Sequence, residues 1–278
     1  MPVYKFKRIG VVGAGTMGRG IAHLFALHGF SVVLADREET ILGAALERLL
    51  ERTDPAQREM VTGCITTSVD LRSLAGCDLV IEAVFEDEAV KKEVYASLGG
   101  ICRADAVIAS NTSAIPISRL ALSLPDPSRF IGMHFMNPPV KMQLIEVVRG
   151  EKTAGATVSS ITGLAERLGK VAVVVGDVPG FIANRLLFAQ FGEALRLLES
   201  GAAAMEDIDT VMKLGFSHPL GPFQLADFIG LDVCRQIMEF LRESLGDERY
   251  RPGELLERLV AEGKLGKKTG EGFYRYPM

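Results

Sequence analysis

Short apolar runs alternate with amphipathic stretches through the first 180 residues of the chain. Runs at 6–12, 31–35, 78–83, 106–109, 130–135, 143–148 and 171–175 predict strands. Stretches at 17–28, 38–52, 88–98 and 157–168 carry helical spacing. Such alternation builds a mostly parallel, doubly wound sheet with helices on both faces. The run Val171 to Val175 is apolar at every position, as a strand buried on both sides requires.

The pattern changes after Gly180. Helical spacing dominates at 181–199, 203–213, 222–225, 231–245 and 254–262, and no core-type strand is expected there. Gly and Pro clusters at 215–222 and 252–253 punctuate these stretches. The spacing predicts an α/β domain over 1–180 and an all-α domain over 181–278. The aromatic segment Phe273-Tyr274-Arg275-Tyr276 is expected to fold back onto the protein.

Composition narrows the class. The 278 residues are 48% hydrophobic and 24% charged, which suits a packed globular protein and not a disordered one. Lys and Arg number 31 against 35 Asp and Glu, with no basic stripe, so no nucleic-acid partner is expected. No apolar run reaches the ~18 residues of a membrane span. The opening Lys5-Phe6-Lys7-Arg8 precedes a short, Gly-rich apolar run broken by Arg19, so no signal peptide is expected. The four cysteines form no CxxC pair, and the four histidines lack metal-ligand spacing. Free thiols, a cytoplasmic location and no metal are the expectation.

Candidate chemistry begins at Gly13-Ala14-Gly15-Thr16-Met17-Gly18, between the first strand and the first helix. Gly13 permits a tight turn, Gly15 lets the backbone approach a pyrophosphate, and Gly18 lets helix meet strand. Thr16 and Met17 open the helix whose positive end receives the phosphates. Asp36 ends the second strand, eighteen residues past Gly18. That is near the ~20-residue spacing of a carboxylate that binds the adenosine ribose. A Rossmann-type first domain follows. Asp36 points to NAD; Arg37 beside it leaves NADP open, because an Arg there accommodates a 2′-phosphate.

Two strand-like runs flank Pro138-Pro139. Antiparallel pairing centred on residue 140 sets His134 opposite Glu146, with Cβ atoms ~4.5–5.5 Å apart. The carboxylate then holds one imidazole nitrogen and leaves the other to take a proton. That suits oxidation of an alcohol with hydride loss to a nicotinamide. The pair reads equally well as a structural histidine with a salt-bridging glutamate. On the residues alone, Ser113 reads as a helix cap and Asn184 as a hydrogen bonder at a helix start.

Longer strings carry a resemblance. They are the 13–18 loop, Ile81-Glu-Ala-Val-Phe-Glu86, Ser110-Asn-Thr-Ser113 and His134-Phe-Met-Asn-Pro138. Asp177-Val-Pro-Gly-Phe-Ile-Ala-Asn-Arg185, Asp207-Ile-Asp-Thr-Val-Met-Lys-Leu-Gly215, Pro219-Leu-Gly-Pro-Phe223 and Gly266-Lys-Lys-Thr-Gly-Glu-Gly-Phe-Tyr274 follow. In this order, over nearly the whole chain, they resemble the 3-hydroxyacyl-CoA dehydrogenases, particularly the short bacterial 3-hydroxybutyryl-CoA dehydrogenases.

The resemblance implies an NAD-dependent enzyme interconverting an L-3-hydroxyacyl-CoA, of short chain such as 3-hydroxybutyryl-CoA, and the 3-oxoacyl-CoA. It implies His134 as catalytic base, Glu146 as its orienting carboxylate, and Ser113 and Asn184 as hydrogen bonders of the substrate oxygens. It gives Asp36 to the ribose, and Glu86, Lys91, Asn111 and Asn137 to the dinucleotide lining. Lys268 matches a C-terminal lysine reaching toward that site. The resemblance also implies a substrate cleft between the domains and a homodimer through the helical one. Phe188, Phe191 and Leu195 read either as interface positions or as ordinary packing within the domain. Segment 37–64 is shorter than the family's CoA-contacting helical excursion, and Pro55 interrupts it. Arg48, Arg52 and Arg58 there read either as phosphate contacts or as a solvated face. Two alternatives stay open: a dehydrogenase of a free hydroxy acid or sugar acid, and a non-catalytic, crystallin-like dinucleotide binder.

Overall fold

The structure, a computed structural model, describes residues 6–277; Lys5 of the basic opening lies outside them. It divides into two compact units, Met1–Val178 and Pro179–Met278.

The first unit carries strands β1 (Arg8–Val12), β2 (Ser31–Ala35), β3 (Ile65–Ser68), β4 (Leu79–Glu82), β5 (Val107–Ser110), β6 (Phe130–Phe135), β7 (Leu144–Arg149) and β8 (Val171–Gly176). They form one sheet in the order β3-β2-β1-β4-β5-β6-β7-β8. Strands β1 to β6 run parallel. Strand β7 is antiparallel to β6, and β8 is parallel to β7. The helices are α1 (Thr16–Leu27), α2 (Glu39–Glu51), α3 (Arg58–Cys64), α4 (Glu88–Ile101), α5 (Ile117–Leu120) and α6 (Gly155–Arg167). Ile9, Val11, Ile21, Phe25, Leu34 and Ile81 belong to one buried cluster. Strand β1 has β2 on one side and β4 on the other, so the winding reverses at its carboxyl end. Ligands of open α/β sheets bind in that crevice.

The mostly parallel, doubly wound sheet is the one the alternation predicts. Two strands depart from the pattern. Strand β3 has no apolar run to announce it: of Ile65-Thr-Thr-Ser68 only Ile65 is buried. Strand β8 is an edge strand, with Val171, Val173 and Val174 exposed at 60%, 39% and 49%. An apolar β-branched run favours extended backbone, but it does not decide what covers each face.

The second unit is helical: α7 (Ala183–Glu199), α8 (Met205–Thr210), α9 (Pro222–Ile229), α10 (Leu231–Leu245) and α11 (Glu254–Ala261). Helix α7 starts later than the spacing predicts because Gly180 and Phe181 take φ of 71° and 50°. That left-handed backbone cannot belong to a right-handed helix. Phe188, Phe191 and Leu195, expected as candidate interface positions, are 1%, 2% and 1% exposed. They pack with Phe223, Met238 and Leu241 in the unit's own core. An apolar helix face shows that something covers it, not which chain does. The aromatic tail folds back onto this same unit. Asp227 accepts from the backbone N–H groups of Phe273 and Tyr274, both at 2.8 Å, and from the Tyr276 hydroxyl at 3.0 Å. Asp209 accepts from the Tyr274 hydroxyl at 2.8 Å.

Candidate active site

The glycine loop joins β1 to α1 at the switch point. Gly13 has φ of 98°, and a Cβ there meets the Ala83 carbonyl oxygen at 2.6 Å. A Cβ on Gly18 lies 1.7 Å from the Gly13 carbonyl oxygen, so helix and loop touch. A Cβ on Gly15 meets nothing within 4 Å. The two outer glycines are thus required by packing, and the middle one faces open space. No side chain caps the N-terminus of α1. Open space before an uncapped helix start suits a pyrophosphate.

Asp36 follows β2 and is pinned to the loop. Its carboxylate accepts from the Ala14 N–H at 2.7 Å and the Arg37 N–H at 2.8 Å. A carboxylate offers about four lone-pair positions, so acceptor capacity remains for ribose hydroxyls. The Arg37 side chain pairs with Glu38 at 3.3 Å. The residues present therefore fit NAD.

Strands β5 and β6 end on the same sheet edge. The side-chain oxygen of Asn111 accepts from the Phe135 N–H at 3.0 Å, which fixes the end of β6 beside His134. His134 and Glu146 are register partners across the β6–β7 pair. The Nδ1 of His134 lies 2.8 Å from Oε2 of Glu146, and the residues are 5% and 2% exposed. A buried carboxylate on Nδ1 favours the N–H tautomer there.

Ser113 sits in a turn after β5. Glu86 gathers that turn: one oxygen accepts from the Thr112 hydroxyl and from the N–H groups of Ser113 and Ala114, at 2.9 and 3.2 Å for the latter two. Lys91 is 1% exposed and places Nζ 2.6 Å from Glu82 and 3.2 Å from Glu86. Asn137 is exposed, in a cis bond to Pro138. Asn184 and Lys268 belong to the helical unit. Asn184 is the second residue of α7, and Lys268 reaches Asp232 at 2.6 and 2.7 Å.

Sequence reasoning missed two features. Glu82 and Tyr95 are both fully buried. The signal for Glu82 was a carboxylate inside the apolar run Leu79-Val-Ile-Glu82, because a charge there must be paired. Arg19 was passed over as an interruption. It is only 9% exposed and lines a recess of about 360 Å³ with Gly15, Thr16, Thr40 and Arg48. Among the described residues no carboxylate lines that recess. Burial first, then the nearby charges of Arg52 and Arg48, lower the Arg19 pKa. An anion in the recess relieves that repulsion.

The switch-point loop gives the first unit the form of a Rossmann-type dinucleotide binder, and the histidine–carboxylate pair lies on the same sheet. Comparison sharpens the class. Residues 8–178 match the NAD binding domain of 3-hydroxyacyl-CoA dehydrogenase, and residues 180–276 match its C-terminal domain. A probable 3-hydroxybutyryl-CoA dehydrogenase of Deinococcus radiodurans is 46% identical, over 97% of this chain and 100% of that protein. The 3-hydroxybutyryl-CoA dehydrogenase of Bradyrhizobium diazoefficiens is 45% identical, over 97% and 95%. Among solved structures, (S)-3-hydroxybutyryl-CoA dehydrogenase PaaH1 from Ralstonia eutropha superposes with a TM-score of 0.92 at 38% identity, over 99% and 100% of the two chains. FadB2 of M. tuberculosis reaches 0.95 at 40% identity, over 98% and 99%. The chain belongs to the 3-hydroxyacyl-CoA dehydrogenase family, and its first unit is that family's NAD-binding domain.

Proposed function

We propose that the protein interconverts a short-chain L-3-hydroxyacyl-CoA, such as 3-hydroxybutyryl-CoA, and the 3-oxoacyl-CoA. The observation that carries this is the buried His134–Glu146 pair on the sheet that holds the glycine loop. NAD, when bound, accepts the hydride from C3 of the hydroxyacyl group. Glu146 holds Nδ1 of His134, so proton exchange with the substrate hydroxyl falls to Nε2. As His134 takes that proton, the Glu146 charge stabilises the imidazolium. Ser113 and Asn184 hydrogen-bond the substrate oxygens and hold charge that builds in the transition state. Glu86, Asn111, Asn137, Lys91 and Lys268 serve the cofactor site, and Asp36 holds the ribose. The basic recess of Arg19 and Arg48, beside Gly15 and Thr16, suits a phosphate, whether of the dinucleotide or of a CoA-bearing substrate.

The helical unit is the substrate and dimerisation domain in this reading. Its Val211, Leu214, Phe216 and Phe228 are large apolar side chains left exposed, which supports a homodimer. Among the described residues no helix is long and apolar enough to cross a membrane; the location in this reading is the cytoplasm.

The test is acetoacetyl-CoA with NADH, followed by NADH absorbance, with free acetoacetate as control. Turnover of the CoA ester alone is expected. His134→Gln should lower turnover ~10²-fold or more and leave NADH affinity nearly unchanged. Turnover of the free acid alone would move the reading to hydroxy-acid dehydrogenases. NADH binding without any turnover would leave a non-catalytic binder.

A further inference from the structure

Glu82 ends β4 and is 0% exposed, yet neither carboxylate oxygen lacks donors. Oε1 accepts from Lys91 Nζ at 2.6 Å and from the Val84 N–H at 2.8 Å. Oε2 accepts from the Ser110 hydroxyl at 2.8 Å and from the Tyr95 hydroxyl. Lys91 and Tyr95 stand four residues apart on α4, so one helix face delivers both. Burial foremost, then the Glu82 charge, raises the Tyr95 pKa, which keeps its hydroxyl a donor.

The contacts continue outward. Lys91 also reaches Glu86 at 3.2 Å. Glu86 holds the 112–114 turn through Thr112 and two backbone N–H groups. The Ser110 hydroxyl accepts from the Thr112 N–H at 3.2 Å. A chain of charge-assisted bonds thus runs from the core to the turn that carries Ser113. Such bonds are short and directional, so a shift at one end is passed to the next.

We infer that Glu82, seated by Tyr95 and Ser110, is a positioning residue: through Lys91 it sets Glu86, and through Glu86 it sets Ser113. The inference rests on the proposed substrate role of Ser113. Glu82 and Tyr95 touch neither substrate nor cofactor in it. Lys91 is the middle of the strut, with its ammonium shared between two carboxylates.

Tyr95→Phe keeps the ring and deletes one donor, so it tests the strut with little risk to folding. Amide hydrogen exchange over 110–116 should quicken in the variant while the unfolding midpoint moves little. Turnover should fall about tenfold, the worth of one charged hydrogen bond, with KM nearly constant. Ser113→Ala combined with Tyr95→Phe should be no slower than Ser113→Ala alone, because coupled sites are non-additive. Glu82→Gln, where it folds, should show the same pattern more strongly. Unchanged exchange and turnover in Tyr95→Phe, or losses that simply add, would overturn the inference. Wild-type protein inactive on acetoacetyl-CoA, with the turn still loosened by Tyr95→Phe, would overturn the substrate reading and leave the strut standing.

Discussion

His134 and Glu146 face each other across an antiparallel strand pair, with Nδ1 and Oε2 2.8 Å apart. The contact ties the histidine to a charge rather than only to a surface. Glu146→Gln keeps the shape and removes that charge. Turnover should fall by ~10²-fold or more, while NADH binding measured by fluorescence stays within a factor of about two. Full turnover in the variant would return the pair to a structural role.

The three loop glycines should respond differently to alanine. Gly18→Ala drives a methyl into the Gly13 carbonyl, so it should destabilise the first unit by at least about 2 kcal/mol. Gly15→Ala meets no protein atom. Its melting temperature should hold while its NADH dissociation constant rises tenfold or more, on the order of 1.4 kcal/mol. Calorimetry and NADH titration separate the two. Normal NADH affinity in Gly15→Ala would place the pyrophosphate elsewhere.

Arg19 and Arg48 line a recess whose described lining residues include no carboxylate. If the recess takes a CoA phosphate, Arg19→Ala should raise KM for acetoacetyl-CoA about tenfold and change kcat little. The variant and the wild type should handle the dephospho-CoA ester alike. An equal penalty on both esters would remove the 3′-phosphate from this recess.

His23 carries a pH effect on stability. The Thr53 hydroxyl donates to the Leu49 carbonyl at 2.8 Å, so its oxygen accepts from His23 Nε2 at 2.9 Å. Burial lowers the His23 pKa below its usual 6.5. The folded protein takes up that proton at lower pH than the unfolded chain does. The stabilisation is complete above about 6.5 and is lost as pH falls through the lower folded value. Melting temperature should therefore drop on acidification below that pH. The drop should be smaller in His23→Gln, whose amide can still donate to Thr53. Parallel acid profiles for the two proteins would contradict this.

What the sequence disclosed followed from period and from chain-local constraints. Strand–helix alternation gave the doubly wound sheet, because clear helical stretches follow the apolar runs at 6–12, 31–35, 78–83 and 143–148. Pro138-Pro139 bounded a short connection, and a short connection leaves few antiparallel registers, so His134 opposite Glu146 could be read directly. Strand β3 stayed hidden because its two threonines and serine show no burial signal. The fate of Phe188 and Phe191 turned on which surface meets α7, which a helix's own spacing does not contain. The Glu82–Tyr95–Ser110 group joins residues 13 and 28 apart from different elements, and only the buried-charge rule hinted at it.

The clasp on Asp227 also concerns the order in which the chain is made. Every strand of the sheet is complete once Gly176 has been added. The helical unit differs, because the donors that meet its buried Asp227 come from residues 273–276, after all five of its helices. A nascent chain halted anywhere before Phe273 leaves that carboxylate short of partners, whatever helix it has already formed. Domains tend to fold as units during synthesis. Here the first can close while translation continues, and the second waits for residues 273–276.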